Sequence, residues 1–319
     1  MLLHFRMNNI IQSNQKDILK ALAYYDVFNF PLNFEELFLF SNFTDKGAFW
    51  DDLNALLGTE TIFKVGGFYA LRPDEYLSTE RVKNDKKAKD YEYQAYKKSK
   101  LIGKFPYVKG VFISGSLSKG TMGEYGDIDY FIVTSPGRLW VARTLLIFYK
   151  KVFLLNSRKY FCINYVVDEN SLTIEHQNRF TAMELVTLLP MVNAPLYEKM
   201  ISENNWLRAY YNTITDKLLH PISVKRSWFQ KIVEPFLNTK IGDILDDYFM
   251  KLTLSRWKSR FGNMSEEDFN VALKTSKTVS KHHPSNFQKK VLHDFDSRMA
   301  ELEKKLSQSV PNQELKKAQ

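Results

Sequence analysis

VFISGSLSKGTMGEYGDIDYFIVT, residues 111–134, is the stretch of sequence that decides the fold of this chain. It opens and closes on apolar runs, and a loop of small residues with four glycines separates them. Short apolar runs bounded by glycine-rich loops are typical of strands in a buried sheet. Asp127 and Asp129 stand at the start of the second run, where burial disfavours a charge that has no partner. These two carboxylates therefore require a functional explanation.

The two aspartates are predicted to lie side by side. In a strand, residues i and i+2 point to the same face, so Asp127 and Asp129 would present their carboxylates together. Like charges at that separation repel, and a bound divalent cation removes the repulsion. Hard oxygen ligands of this kind suit Mg²⁺, with nucleotide phosphates supplying further oxygens. We therefore predict a magnesium site at these residues.

The glycine-rich loop is predicted to bind phosphate. Glycines allow backbone N–H groups to turn toward an anion, and Ser116 and Lys119 add a hydroxyl and a positive charge. The segment GSLSKGT departs from a P-loop, because Thr121 stands where that pattern requires lysine and the loop leads back to a strand. A plain hairpin loop is the other alternative, but it leaves the two aspartates unexplained. A phosphate-binding loop beside a magnesium site suits phosphoryl or nucleotidyl transfer.

These residues resemble the signature of the DNA polymerase beta-like nucleotidyltransferase superfamily. That signature is an apolar strand ending in Gly-Ser, then about ten residues, then Asp-x-Asp in a second apolar strand. Here Gly115 and Ser116 are followed, after ten residues, by Asp127 and Asp129. The resemblance implies that Gly115 and Ser116 hold the triphosphate of a nucleotide, and that the aspartates hold Mg²⁺, with two ions at the site. Lys119 is expected to bind nucleotide beside them because of its positive charge.

The superfamily usually supplies a third carboxylate from a following strand. In this sequence Asn164 occupies the centre of that strand, and a neutral amide is no general base. Asp168 lies four residues further on, and Glu175 belongs to the next element. Asn164 is the first candidate for the third position, Asp168 the second and Glu175 the third.

The remaining sequence predicts an α+β protein in three parts. Residues 1–75 show helix, helix, helix and hairpin, the order of a winged helix. Asn33 and Glu36 are expected to form a capping box at the start of the second helix, and Thr44 is expected to cap the third. Residues 76–178 form the nucleotidyltransferase core, with a short fourth strand expected at 172–175. Residues 179–319 are predicted to be helical, with Thr181 and Glu184 as a capping box and a disordered tail from Val310.

Composition limits the partners. The chain of 319 residues carries a formal net charge of +9, which favours a polyanionic partner. The acidic third helix, with Asp45, Asp51 and Asp52, argues against DNA binding by the winged-helix-like part. The single cysteine, Cys162, excludes an internal disulfide and is expected to be a small buried side chain. The most apolar helical stretch, at 145–155, is too short to span a membrane, so a cytoplasmic protein is expected.

Two functions follow as hypotheses. In the first, the protein is a magnesium-dependent nucleotidyltransferase that moves a nucleoside monophosphate from a nucleoside triphosphate to an acceptor hydroxyl. The acceptor is a small molecule, a protein or an RNA end, and the sequence does not separate them. In the second, a catalytically weakened form of the same fold binds nucleotide or nucleic acid as a regulator, a hypothesis motivated by Asn164.

Overall fold

The computed structural model describes residues 2–211 and 222–316, with side chains for residues 14–211 and 222–306. The elements, in chain order, are α1 (Leu2–Asp26), α2 (Phe34–Phe40), α3 (Lys46–Gly58), β1 (Phe63–Val65), β2 (Phe68–Ala70), α4 (Glu75–Ile102), β3 (Val108–Ser114), α5 (Gly115–Ser118), β4 (Asp129–Thr134), α6 (Leu139–Phe153), β5 (Cys162–Asp168), α7 (Arg179–Val186), β6 (Leu189–Val192), α8 (Ala194–Glu203), a 3-10 turn (Asn205–Ala209), α9 (Trp228–Leu237), α10 (Lys240–Arg260), α11 (Glu266–Ala272), β7 (Val279–Lys281) and α12 (Phe287–Lys316).

Contacts within the chain divide it into two compact units. One comprises residues 1–83, 208–215 and 288–319, and the other comprises residues 84–207 and 216–287. The three-part organisation with boundaries at residues 75 and 178 stays a prediction.

The first unit has the expected order of three helices followed by a hairpin. Asn33 and Glu36 form the predicted capping box at the start of α2, and Gly66 adopts a positive φ of 58° in the turn between β1 and β2. The cap of α3 differs from the prediction. Asp45, rather than Thr44, is the N-cap, and its side chain accepts a hydrogen bond from the backbone N–H of Ala48. The assignment of this unit as a winged helix stays a prediction.

The second unit is built on a mixed five-stranded sheet with the order β6-β3-β4-β5-β7. The pair β4 and β5 is parallel, whereas the other three neighbouring pairs are antiparallel. A parallel pair needs a crossover connection, and α6 provides it. Apolar side chains of α6 and of one sheet face form the core, including Val111, Ile132, Trp140 and Leu146. The predicted α+β class is confirmed.

Several local predictions were wrong. Residues 172–175 form no strand, and the segment after residue 179, predicted to be helical, also contributes β6 and β7 to the sheet. The strand β6 contains Pro190, which an edge strand tolerates because its unpaired side needs no N–H donor. The strand β7 is only three residues long, too short to show a period.

The ends of two helices also differ from expectation. The N-cap of α7 is Asn178, whose side chain accepts from the backbone N–H of Thr181, so Thr181 lies inside the helix. At the C-terminus α12 continues to Lys316, where a disordered tail was predicted from Val310, and residues 317–319 lie outside the described part. Among the described helices, none combines the length and the apolar character that crossing a membrane requires.

Candidate active site

The turn that leaves β3 brings the backbone against a carboxylate. Sequence analysis predicted a loop after Ser114, but Gly115 begins the single-turn helix α5. Gly115 has a positive φ of 69°, and a Cβ atom at this position would collide with the carboxylate of Asp129. Both the backbone conformation and the lack of space therefore require glycine here.

Strand register places three residues in a row at one end of the sheet. Ser114 of β3 is paired with Asp129 of β4, and Asp129 is paired with Cys162 of β5. The backbone N–H of Ile128 donates to Lys159 O at 3.0 Å, and Ile128 O accepts from the backbone N–H of Cys162 at 3.0 Å. These bonds fix the residues on either side of Ile128 next to the start of β5.

Asp127 joins this row from outside the strand. Because β4 begins at Asp129, the prediction that both aspartates share one strand face was wrong. Even so, carboxylate oxygens of Asp127 and Asp129 and the Sγ of Cys162 all lie within 4.8 Å of one another. In the part of the chain that the structure describes, this is the single such group of three or more potential metal ligands.

The electrostatics of the group favour a bound cation. Burial, and next the negative charge of Asp127, raise the pKa of Asp129 to about 8. Burial and the charges of the two aspartates also raise the pKa of the Cys162 thiol. A cation bound among these groups would remove the repulsion between them and favour their ionised forms.

Asn164, the first candidate for the third position, lies beside Asp129. The pairing of β4 and β5 shifts after Tyr130, so Asn164 occupies a β-bulge between Ile163 and Tyr165. Its Nδ2 donates to Asp129 Oδ1, and its Oδ1 accepts from Cys162 Sγ at 3.2 Å. The amide therefore links the carboxylate to the thiol.

The other two candidates for the third position lie elsewhere. Asp168 is at the opposite end of β5, where it accepts hydrogen bonds from the backbone N–H groups of Gly137, at 2.9 Å, and Asn170, at 2.8 Å. Glu175 forms an ion pair with Lys274. Neither carboxylate belongs to the group around Asp129.

The segment after α5 is held by side chains of its own unit. Lys119, predicted to bind nucleotide, forms an ion pair with Glu184 at 2.8 Å and donates to Gly115 O at 3.1 Å. Lys87 of α4 donates to the carbonyl oxygens of Gly123, at 2.6 Å, and Glu124, at 2.7 Å. Ser116 is partly buried at the start of α5.

Two residues of the site were missed by sequence reasoning. Cys162 was interpreted as a core residue because it lies in an apolar run; its position two residues before Asn164, on the strand expected to reach the site, was the available signal. Lys150 of α6 is only 7% exposed, and its charge interacts with Cys162 and Asp127. Among the described residues, no acceptor lies within hydrogen-bonding distance of Lys150 Nζ, and burial lowers its pKa. The sequence signal for Lys150 was its spacing, because a residue four positions after the apolar Leu146 lies on the same face of the helix.

Comparison with known proteins gives one match. A search of curated proteins found no matching protein, and a search of solved structures found no matching structure. Residues 97–184, which contain α5, both aspartates, Lys150, Cys162 and Asn164, match the family model of a nucleotidyltransferase domain. This segment of the chain is therefore similar to a nucleotidyltransferase domain, which supports a transferase of that general kind.

Proposed function

We propose that this protein transfers a nucleoside monophosphate from a nucleoside triphosphate to an acceptor hydroxyl and releases pyrophosphate. The observation that carries the proposal is the pair of carboxylates, Asp127 and Asp129, adjacent at the end of a strand and directly across from the Gly115 turn. This arrangement lies within the segment that matches the nucleotidyltransferase domain.

Divalent cations are the cofactors of this proposal. The adjacent carboxylates of Asp127 and Asp129 are oxygen donors of the type that Mg²⁺ accepts, so these two residues fit the predicted ion. Asp127 and Asp129 would hold it, and two ions are proposed. Bound divalent cations neutralise charge on a triphosphate and polarise the phosphoryl group that is attacked.

The residues of the chain have separate roles in the proposal. Gly115 and Ser116 bind the triphosphate, where the missing side chain of Gly115 lets phosphate approach the backbone. Asn164 keeps the Asp129 carboxylate in place through its hydrogen bond. Lys119 is paired with Glu184 in the structure, so its proposed contact with nucleotide requires exchange of that ion pair.

Lys150 favours the binding of an anionic ligand at the site. Lys150 is a largely buried residue whose Nζ has no hydrogen-bonding partner among the described residues, and a phosphate group would supply an acceptor of opposite charge. The variant Lys150→Met tests this contact, and Lys151→Met is its matched control because the neighbouring Lys151 is exposed. We expect the affinity for nucleoside triphosphate to fall by about tenfold in the first variant, typical of one charge-assisted hydrogen bond, and to be retained in the second.

A catalytically weakened regulator is the second candidate function. Its specific observation is the neutral Asn164 beside Asp129, with no third carboxylate in the group of potential ligands found among the described residues. Without a third carboxylate the site lacks a general base for the acceptor hydroxyl. In this function the fold binds nucleotide or nucleic acid and does not transfer.

One assay separates the two functions. The protein is incubated with each labelled nucleoside triphosphate, Mg²⁺ and cell extract as the source of acceptor, beside the variant Asp127→Asn/Asp129→Asn. Label transfer that the variant loses supports the enzyme. Thermal stabilisation by nucleotide without transfer supports the regulator. If neither effect is observed, the proposed site is contradicted.

For the acceptor, the proposal specifies only a chemical class. The net charge of +9 favours an anionic acceptor, such as RNA or a phosphorylated small molecule, over a neutral one. DNA binding by the N-terminal helices is not part of the proposed function, since the helix α3 carries three acidic side chains at its start and middle, Asp45, Asp51 and Asp52. Labelled products from the assay, digested with ribonuclease or protease, would identify the acceptor class.

A further inference from the structure

We infer that Cys162 is a metal ligand together with Asp127 and Asp129, and that this position selects a borderline metal of the Zn²⁺ class over Mg²⁺. The inference rests on the metal site of the proposed function and names which ion that site prefers. A second ion, Mg²⁺, would then enter with the triphosphate as part of the substrate.

The sulfur is placed by the sheet itself. Asp129 and Cys162 are directly paired neighbours on the parallel strands β4 and β5, so the backbone holds their side chains next to each other. The Sγ and the carboxylate oxygens of both aspartates lie within 4.8 Å of one another. Typical Zn–S and Zn–O distances are about 2.3 and 2.1 Å, so a single ion can contact all three groups after small side-chain rotations.

The donor set determines the metal. Carboxylates alone suit Mg²⁺, which prefers oxygen ligands and binds thiolate poorly. A thiolate together with two carboxylates suits Zn²⁺, and also Co²⁺ and Cd²⁺ as its spectroscopic and soft substitutes. When the metal–sulfur bond forms, the thiol proton that now points to Asn164 Oδ1 leaves to solvent.

Lys150 is an independent observation at the same place. Lys150 as a residue is 7% exposed, and within the described residues its Nζ has no hydrogen-bonding partner. Its positive charge interacts with Cys162 and with Asp127. A divalent ion together with the Lys150 ammonium would balance the negative charges of two carboxylates and one thiolate, so the loaded site would carry no net charge.

Absorption spectroscopy of the Co²⁺-loaded full chain tests the inference. The sequence contains one cysteine, so a thiolate-to-cobalt charge-transfer band in the near ultraviolet must come from Cys162. We expect this band to rise on titration and to saturate at one Co²⁺ per chain. Cobalt binding detected by calorimetry without the band, or no cobalt binding at all, would overturn the inference.

Two variants test whether the sulfur and the carboxylates act on the same ion. Asp127→Asn/Asp129→Asn keeps the thiol, and we expect it to lose the band; a band that survives would show that the thiol binds cobalt elsewhere and would overturn the inference. Cys162→Ser is nearly isosteric, and we expect its Cd²⁺ affinity to fall by about tenfold or more while its Mg²⁺ affinity is kept. Equal losses for the two metals would contradict a soft-metal preference. Thermal unfolding of each variant verifies that it is folded.

A nucleotide titration distinguishes failure of this inference from failure of the proposed function. Wild-type protein is melted with and without nucleoside triphosphate in Mg²⁺. Stabilisation by nucleotide without a cobalt–sulfur band rejects the role of Cys162 and leaves the nucleotidyltransferase site standing. A band without stabilisation by nucleotide supports the metal site and rejects the nucleotide proposal.

Discussion

Two carboxylates at opposite ends of the same pair of strands have opposite surroundings. Asp168 ends β5 and is paired in register with Thr134 of β4, whereas Asp129 begins β4 and is paired with Cys162. Asp168 is buried and receives two backbone N–H groups, those of Gly137 and Asn170. Asp129 receives one side-chain amide and faces a second carboxylate.

The difference separates a carboxylate that is satisfied within the fold from one for which we propose a metal-binding role. Backbone donors compensate the charge of Asp168 permanently, so it stabilises the turn between β4 and α6. The charge of Asp129 is left under-compensated, since the neighbouring Asp127 repels it and burial penalises it. A cation that binds beside Asp129 compensates this charge, so removal of the repulsion contributes to the free energy of cation binding. Four predictions test this comparison.

The largest expected effect is on transfer. We expect Asp127→Asn/Asp129→Asn to lose nucleotidyl transfer by roughly 10³-fold or more, since the metal ions contribute several kcal/mol to the transition state. Initial rates with labelled triphosphate measure the loss. Thermal unfolding is the control, because removal of two repelling charges should leave the variant at least as stable as wild type. Transfer at the wild-type rate would place the reaction elsewhere.

The second prediction concerns pH. In a chelator, we expect the free energy of unfolding of wild type to fall by a few kcal/mol between pH 4 and pH 8. Folded Asp129 keeps its proton up to about pH 8, whereas the unfolded state, with a pKa of about 3.9, loses it, so ionisation favours unfolding throughout this window. Urea unfolding at several pH values measures the slope.

The variant Asp129→Asn is the control for the pH effect. It removes the titrating group, so its stability should vary less between pH 4 and pH 8 than that of wild type. Added divalent metal should reverse the wild-type slope, because the ion binds the ionised form. A slope that is the same in wild type and in the variant would assign the effect to other groups.

The third prediction addresses the opposite end of the sheet. We expect Asp168→Asn to lower the free energy of unfolding by about 1–3 kcal/mol, because an amide replaces one of the accepting oxygens and leaves a backbone N–H without its partner. Transfer per folded molecule and the cobalt–sulfur band should not change. Loss of either signal in folded protein would show that Asp168 acts at the site.

The smallest expected effect distinguishes two glycines of one segment. Gly115 and Gly120 both have positive φ, of 69° and 75°, but a Cβ atom at Gly120 would meet no atom within 4 Å. Each alanine variant should lose about 1 kcal/mol from backbone strain, and Gly115→Ala should lose about 1–2 kcal/mol more through its clash with Asp129. Urea unfolding of the two variants gives the difference. Equal losses would mean that the Asp129 carboxylate moves freely.

Much of the site could be predicted from local sequence. The spacing from Gly115 to Asp129 is carried by one continuous segment, and glycine, serine and aspartate have few roles in such a pattern. The proximity of the two carboxylates was therefore predicted, although Asp127 lies before β4 rather than within it. The capping box at Asn33 and Glu36 was predicted for the same reason, since both residues belong to one helical turn.

Short elements and long-range pairs escaped prediction. The strands β6 and β7 have four and three residues, which is too few to show a period of two. The β-bulge at Asn164, which shifts the register between β4 and β5, was not predicted, and it has no sequence signal here.

The sequence by itself determined the strand-turn-strand segment, the glycine at its turn and the two carboxylates, because each of these depends on neighbours within a few residues. Only the tertiary structure decided what else meets those carboxylates. The parallel pairing of β4 with β5 brings Cys162 to Asp129, and the packing of α6 brings the charge of Lys150 to both Cys162 and Asp127. Asp129 and Cys162 are 33 positions apart in the sequence. Contact over such a separation is set by burial of the sheet and helix faces rather than by local conformation.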